Sequence, residues 1–187
     1  MTPAEISQRL KELRKQHVAA DTGAVPKSVL WLQKLLAKTK LAQKRGMLYT
    51  LLAQEYARAG REREEIETMR TSAREFKEEP VPWVALASRL SFDQSSRAEA
   101  RKLAEHALEL ATTSDRFVRY ALGTRARIGV QLADYRLVED SIRRLVADSR
   151  ATREEDVGPE FDFVESLPDG AVDPQLIERY RSLYRGR

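Results

Sequence analysis

The sequence predicts an all-α fold built as a solenoid-like stack of helix pairs, and three observations carry that prediction. Tyr49, Leu52, Ala53 and Tyr56 are answered 34 positions later by Trp83, Leu86, Ala87 and Leu90, and a period of this length is that of a repeated helix hairpin. Hydrophobic residues make up 42% and charged residues 33%, with only 8 Gly and 7 Pro, which is rich in helix formers and too apolar for a disordered chain. Apolar residues also recur at three- and four-residue spacing along most of the chain, the mark of helices with one buried face. At 187 residues the chain is long enough to bury a core without a metal or disulfide staple.

Thr2-Pro3-Ala4-Glu5 is a helix start. Thr2 can accept from the backbone near Glu5, Glu5 can reach back, and Pro3 suits the first helical position. Ile6, Leu10, Leu13 and His17 follow on one face, and Asp21-Thr22-Gly23 is expected to end that helix. Pro26 and Ser28 open a second helix with Leu32, Leu35 and Leu36 inward and Lys27, Lys34 and Lys38 on another face. Neither Gly nor Pro interrupts Lys27 to Arg45, so Thr39-Lys40 is the joint to the third helix. That helix stops at Ala59-Gly60, where glycine accepts the left-handed conformation.

The fourth helix carries Ile66, Met69, Ala73 and Phe76 on one side, and Pro80 and Pro82 begin the fifth. The fifth loosens over Ser91 to Ser96, and a sixth runs from about Arg97 to Ala111 with Ala100, Leu103, Ala104, Ala107 and Leu108 inward. Asp115 is expected to cap a seventh helix holding Leu122, Ala126 and Gly129. Ala133-Asp134-Tyr135 turns into an eighth with Val138, Ile142 and Leu145 in line.

Glycine and proline at Gly158-Pro159, Pro168 and Gly170 break the acidic stretch from Thr152 to Asp173, which reads as a loop or extended segment. Asp173-Pro174 opens a last helix bearing Leu176, Ile177, Tyr180, Leu183 and Tyr184, expected to cap the stack. The expected organisation is therefore a helical repeat domain over 1–150, with a diverged basic leading pair over 1–46 and recognisable repeats over 47–148. An acidic loop and C-terminal helix over 151–187 pack on it or flank it.

The region from about Met47 to Asp148 resembles the tetratricopeptide repeat family. In the first repeat Tyr49, Leu52, Ala53, Tyr56 and Gly60 match, while Glu65 stands where a small residue is expected. In the second, Trp83, Leu86, Ala87 and Leu90 match, Gln94 replaces the turn glycine, and Ala100, Ala104 and Ala107 fit after a one-residue insertion. The third keeps Leu122, Ala126, Val138, Ile142 and Leu145 but has Arg125 in place of leucine and Gly129 in place of tyrosine. The resemblance implies a right-handed helix-hairpin solenoid of about four pairs plus a capping helix. It also implies a concave groove lined by Thr50, Gln54, Val84, Ser88, Gly123 and Arg127. Only Arg127 among them is basic, which disfavours a clamp for a peptide's terminal carboxylate and suits a packed helix or extended peptide better.

Cysteine is absent, which excludes disulfides, thiolate nucleophiles and thiolate zinc sites. His17 and His106 are the two histidines; His17 continues an apolar face, and neither has metal-like partners. No phosphate loop and no serine with a base in view is found, so no catalytic residue, metal or cofactor is expected and the chain reads as non-catalytic. Without a secretory leader or an apolar run near the length of a membrane span, it reads as soluble and cytoplasmic, with no membrane partner.

Charge is unevenly spread. Residues 1–46 carry 10 Lys/Arg against 3 Asp/Glu, and residues 151–178 carry 1 against 9. The basic surface of Lys27, Lys34, Lys38, Lys40, Lys44 and Arg45 supports an alternative function as a nucleic-acid-binding helical repeat, although aromatics such as Trp31 and Tyr49 are expected in the core rather than as stacking platforms. The primary expectation is an adaptor that binds another protein or peptide segment. The acidic tail could fold over the basic head with Phe161 and Phe163 anchoring it near the groove, so that deleting 151–187 would strengthen partner capture.

Overall fold

The computed structural model describes residues 1–15, 25–148 and 160–182, and among them every regular element is helical. The chain divides into two compact units, Met1–Glu75 and Phe76–Arg187. The described part of the tail shares the core of the second unit.

The first unit holds α1 (Pro3–Lys15), α2 (Lys27–Lys38), α3 (Ala42–Arg58) and α4 (Glu62–Glu75). The reciprocal cap at its start forms as the sequence suggests: Thr2 N donates to Glu5 Oε2 at 2.6 Å and Glu5 N to Thr2 Oγ1 at 3.3 Å. Ile6, Leu10, Val29, Leu32, Leu48 and Leu52 are buried together, with Trp31, Leu35 and Leu36 partly buried around them. The Thr39-Lys40 joint is real, since Thr39 is extended and α3 begins at Ala42. Gly60 sits at φ +67° with open space around its missing Cβ, so this turn needs glycine for its backbone angle rather than for room. The expected end of α1 at Asp21-Thr22-Gly23, and His17, lie outside the described residues.

A buried carboxylate ties three of these helices. Glu55 on α3 is 3% exposed and accepts from Arg14 Nε on α1 at 3.0 Å and from Arg58, with Ser28 of α2 also bonding to it. Burial alone pushes its pKa up, but the bonds from Arg14, Ser28 and Arg58 outweigh that and hold it below the ordinary value. Its folded pKa lies below its unfolded one, so the stabilisation is fully present above about pH 4.5, the ordinary glutamate value, and is lost as pH falls through the folded value. Glu55→Ala is expected to lower stability by about 2 kcal/mol at neutral pH, a moderate loss because Arg14 and Arg58 are exposed enough to rehydrate. The gap between urea melts of wild type and variant should narrow as pH falls below the ordinary glutamate value and through the lowered folded one; a pH-independent gap would contradict this role.

The second unit holds α5 (Pro80–Leu90), the 3-10 turn η1 (Gln94–Ser96), α6 (Arg97–Ser114), α7 (Val118–Gln131), α8 (Tyr135–Ala147), the 3-10 segment η2 (Glu160–Ser166) and α9 (Pro174–Ser182). Helix α5 packs on both α6 and α7, α7 on α8 and η2, and α8 on α9. Leu122, Val138, Ile142, Leu145, Leu176 and Tyr180 lie in its core.

Three local expectations change. Asp115 does not cap α7: it closes α6 at φ 54°, and Phe117 at φ 60° precedes α7. Helix α4 ends at Glu75, so Phe76 is not on its inward face. Residues 160–166, read as loop or extended chain, form a 3-10 helix because Phe163 and Val164 are drawn into the core at 5% and 7% exposure.

Candidate interaction site

The residues expected to line a groove separate into displayed and buried ones. Thr50 and Gln54 are both exposed, one helical turn apart on α3, and the Thr50 hydroxyl donates to Gly46 O at 3.2 Å. Val84 is 1% exposed and belongs to the core of the second unit, and Gly123 is buried in α7; both are packing positions rather than displayed ones. Ser88 on α5 and Arg127 on α7 are half-buried and directly joined, the Arg127 guanidinium donating to Ser88 Oγ. Arg127 also lies over the Phe92 ring, 5.4 Å from its centroid.

Phe92 was not singled out by the sequence. It is 62% exposed, just past α5 and just before η1. Its signal was present, since it is an aromatic outside helical core spacing in the otherwise polar run Ser91 to Ser96. A rigid, exposed aromatic braced by arginine is the type of group that dominates protein interfaces.

The basic set divides as well. Lys27, Lys34 and Lys38 are exposed, while Lys44 donates to Met1 O at 2.6 Å. Arg45 is a clasp rather than a displayed cation. Its Nη1 donates to Leu36 O and Thr39 O, both at 3.0 Å, closing the carbonyl end of α2. Its other nitrogens reach both oxygens of Glu75 on α4, Nη2 at 2.7 Å, and Tyr49 donates its hydroxyl to Glu75 Oε2 at 2.8 Å. The Glu75 bond raises the Arg45 pKa further, and Arg45 in turn holds the Glu75 carboxyl below its ordinary range. Burial, then the Glu75 bond, pushes the Tyr49 phenol up. Arg45 therefore drops out of any nucleic-acid face.

Phe163 packs against Tyr180, ring centroids 5.9 Å apart, and is a core residue of its own unit; the Phe161 side chain lies outside the described residues. Deleting 151–187 would strip Phe163, Val164, Val172, Leu176 and Tyr180 from that core. The deletion would report loss of folding, not exposure of a groove.

His106 meets Trp83 edge-on at 5.0 Å and stands 3.9 Å from Glu109. Among the described residues no group of three or more His, Asp or Glu is placed to hold a metal ion, and no helix is long and apolar enough to cross a membrane. The open cleft at the α3–α4 turn is lined by Gly60, Arg61, Glu62, Glu64, Ile66 and Glu67, and Arg61 is already paired with Glu64.

Neither protein-family models nor curated protein sequences give a match to the chain.

Proposed function

We propose that the chain is a non-catalytic interaction module, a right-handed helix-hairpin solenoid similar to the tetratricopeptide repeats, that holds a segment of another protein against the first helices of its pairs. The observation that carries the reading is the Ser88–Arg127 bond. Two residues expected to share a groove stand side by side on α5 and α7, the first helices of consecutive pairs, with Phe92 beside them. The packing of α5 on both its own partner and the next first helix is the arrangement a stack of hairpins requires. The side chains at this face offer hydrogen bonds, one cation and an aromatic surface, which suit recognition of a preformed or extended segment at low ordering cost.

The test uses the full chain with point substitutions that leave the core intact. Proteins captured from native extract by the wild-type chain are identified by mass spectrometry, and their binding segments are titrated against Phe92→Ala, Arg127→Glu and, as a remote control, Lys34→Glu. Loss of about 2 kcal/mol or more for Phe92→Ala, comparable loss for Arg127→Glu, and unchanged binding for the control are expected. Segments held equally well by all three variants would refute the reading.

A further inference from the structure

The outer face of α2 combines charge and aliphatic surface, and Gln33 at its edge donates its side-chain amide to the Tyr56 hydroxyl at 2.8 Å. Its six exposed residues, Lys27, Leu30, Gln33, Lys34, Ala37 and Lys38, fall within one arc of roughly 140° at the helical repeat, opposite the side that buries Ser28, Val29 and Leu32. The surface continues into the link, where Lys40 and Leu41 are also exposed. Leu30 is 46% and Leu41 66% exposed. Among the described residues none of these four lysines makes a hydrogen bond or ion pair, and no Asp or Glu occurs between Asp21 and Glu55. The other side of α2 is fixed in the core, so the face is presented as a rigid strip.

We infer that this strip docks in the surface of an anionic lipid bilayer, its lysines over headgroup phosphates and carboxylates and Leu30 and Leu41 in the acyl boundary. The occupant has to match both halves of the pattern. The cores of protein interfaces are depleted of lysine. Single-stranded nucleic acid needs aromatic platforms, and Trp31 beside the strip is partly buried in the core. Duplex phosphates would match the lysines but leave the two leucines without use. A bilayer surface uses the cations and the aliphatic groups together, in the manner of interfacial amphipathic helices, and needs no spanning segment. This inference goes beyond the groove reading and does not depend on it.

Flotation of the full chain with phosphatidylcholine vesicles, with and without phosphatidylserine, tests it. Binding is expected only with phosphatidylserine and should weaken between about 0.15 and 0.5 M salt as screening shortens the electrostatic range. Each lysine is worth about fivefold near an anionic surface, so Lys34→Glu with Lys38→Glu should reduce binding by at least about 25-fold. Leu41→Ser, with charge unchanged, should reduce it about fivefold. Circular dichroism checks that these exposed-site variants remain folded, and Leu41→Trp reports insertion by a blue shift of its emission on the same vesicles. Absent binding, no blue shift, or binding that ignores Leu41→Ser would overturn the inference. So would tighter retention on duplex or single-stranded nucleic acid at the same salt with the leucine variant silent.

Discussion

Replacing Gly129 with valine should lower the unfolding free energy of the full chain by about 3 kcal/mol, and replacing it with tyrosine should prevent native packing around the α7–α8 turn. A Cβ at Gly129 would stand 2.8 Å from Val138 Cγ2 and 3.2 Å from both Asp134 O and Val138 N. Two of those neighbours are backbone and cannot rotate away. The turn is also held in place, with Asp134 N donating to Gly129 O at 2.9 Å and Leu137 N to Asp134 Oδ1 at 3.2 Å. Alanine brings a helix-propensity gain of about 1 kcal/mol over glycine, set against about 1–3 kcal/mol of overpacking, so Gly129→Ala should still be destabilising. Adding Val138→Ala removes the closest contact and should show favourable coupling in a double-mutant cycle. A Gly129→Ala protein as stable as wild type in urea would refute the close-approach argument.

The same contact accounts for glycine at this position. Tyrosine is expected at 129, but the incoming backbone of α8 occupies its space. What the sequence made legible was local: the Thr2–Glu5 cap, the prolines opening α5, Gly60 closing α3, and the apolar spacing that places Val138, Ile142 and Leu145 at 0% exposure. What it hid depended on pairings across helices. Asp115 looks like a helix-starting residue, yet it closes α6 because its short side chain tolerates the left-handed conformation. Val84 falls at a groove position by repeat spacing, but its burial is decided by the packing of α5 against neighbouring helices. Arg45 reads as one more cation in a basic run until Glu75, 30 residues away, takes it. For the candidate site, Ser88 and Arg127 are expected groove residues that lie side by side, while Phe92 needed the loop after α5 to be placed beside them.

Arg125→Leu should be far better tolerated than removal of the two acids that face it. Arg125, where the repeat resemblance leads to an expectation of leucine, is 9% exposed. Its Nε donates to Glu105 on α6 at 2.9 Å, and its Nη1 to Asp140 at 2.6 Å and Ser141 Oγ at 2.8 Å on α8. One side chain thus links three helices, at the cost of removing a guanidinium from water. Glu105 and Asp140 keep 39% and 51% of their side-chain surface exposed, so they rehydrate when Arg125 is lost, and Ser141 retains its bond to Leu137 O at 2.7 Å. Leucine refills the space with apolar contacts, and a loss of about 1 kcal/mol or less is expected; alanine leaves a cavity and should cost about 2–3 kcal/mol. Glu105→Gln combined with Asp140→Asn strands the buried cation instead, and should cost about 3–5 kcal/mol. Urea melts of the three variants check the order. Equal losses for Arg125→Leu and the double acid variant would mean that the ion pairs themselves, and not the avoidance of an unpaired buried charge, hold α6, α7 and α8 together.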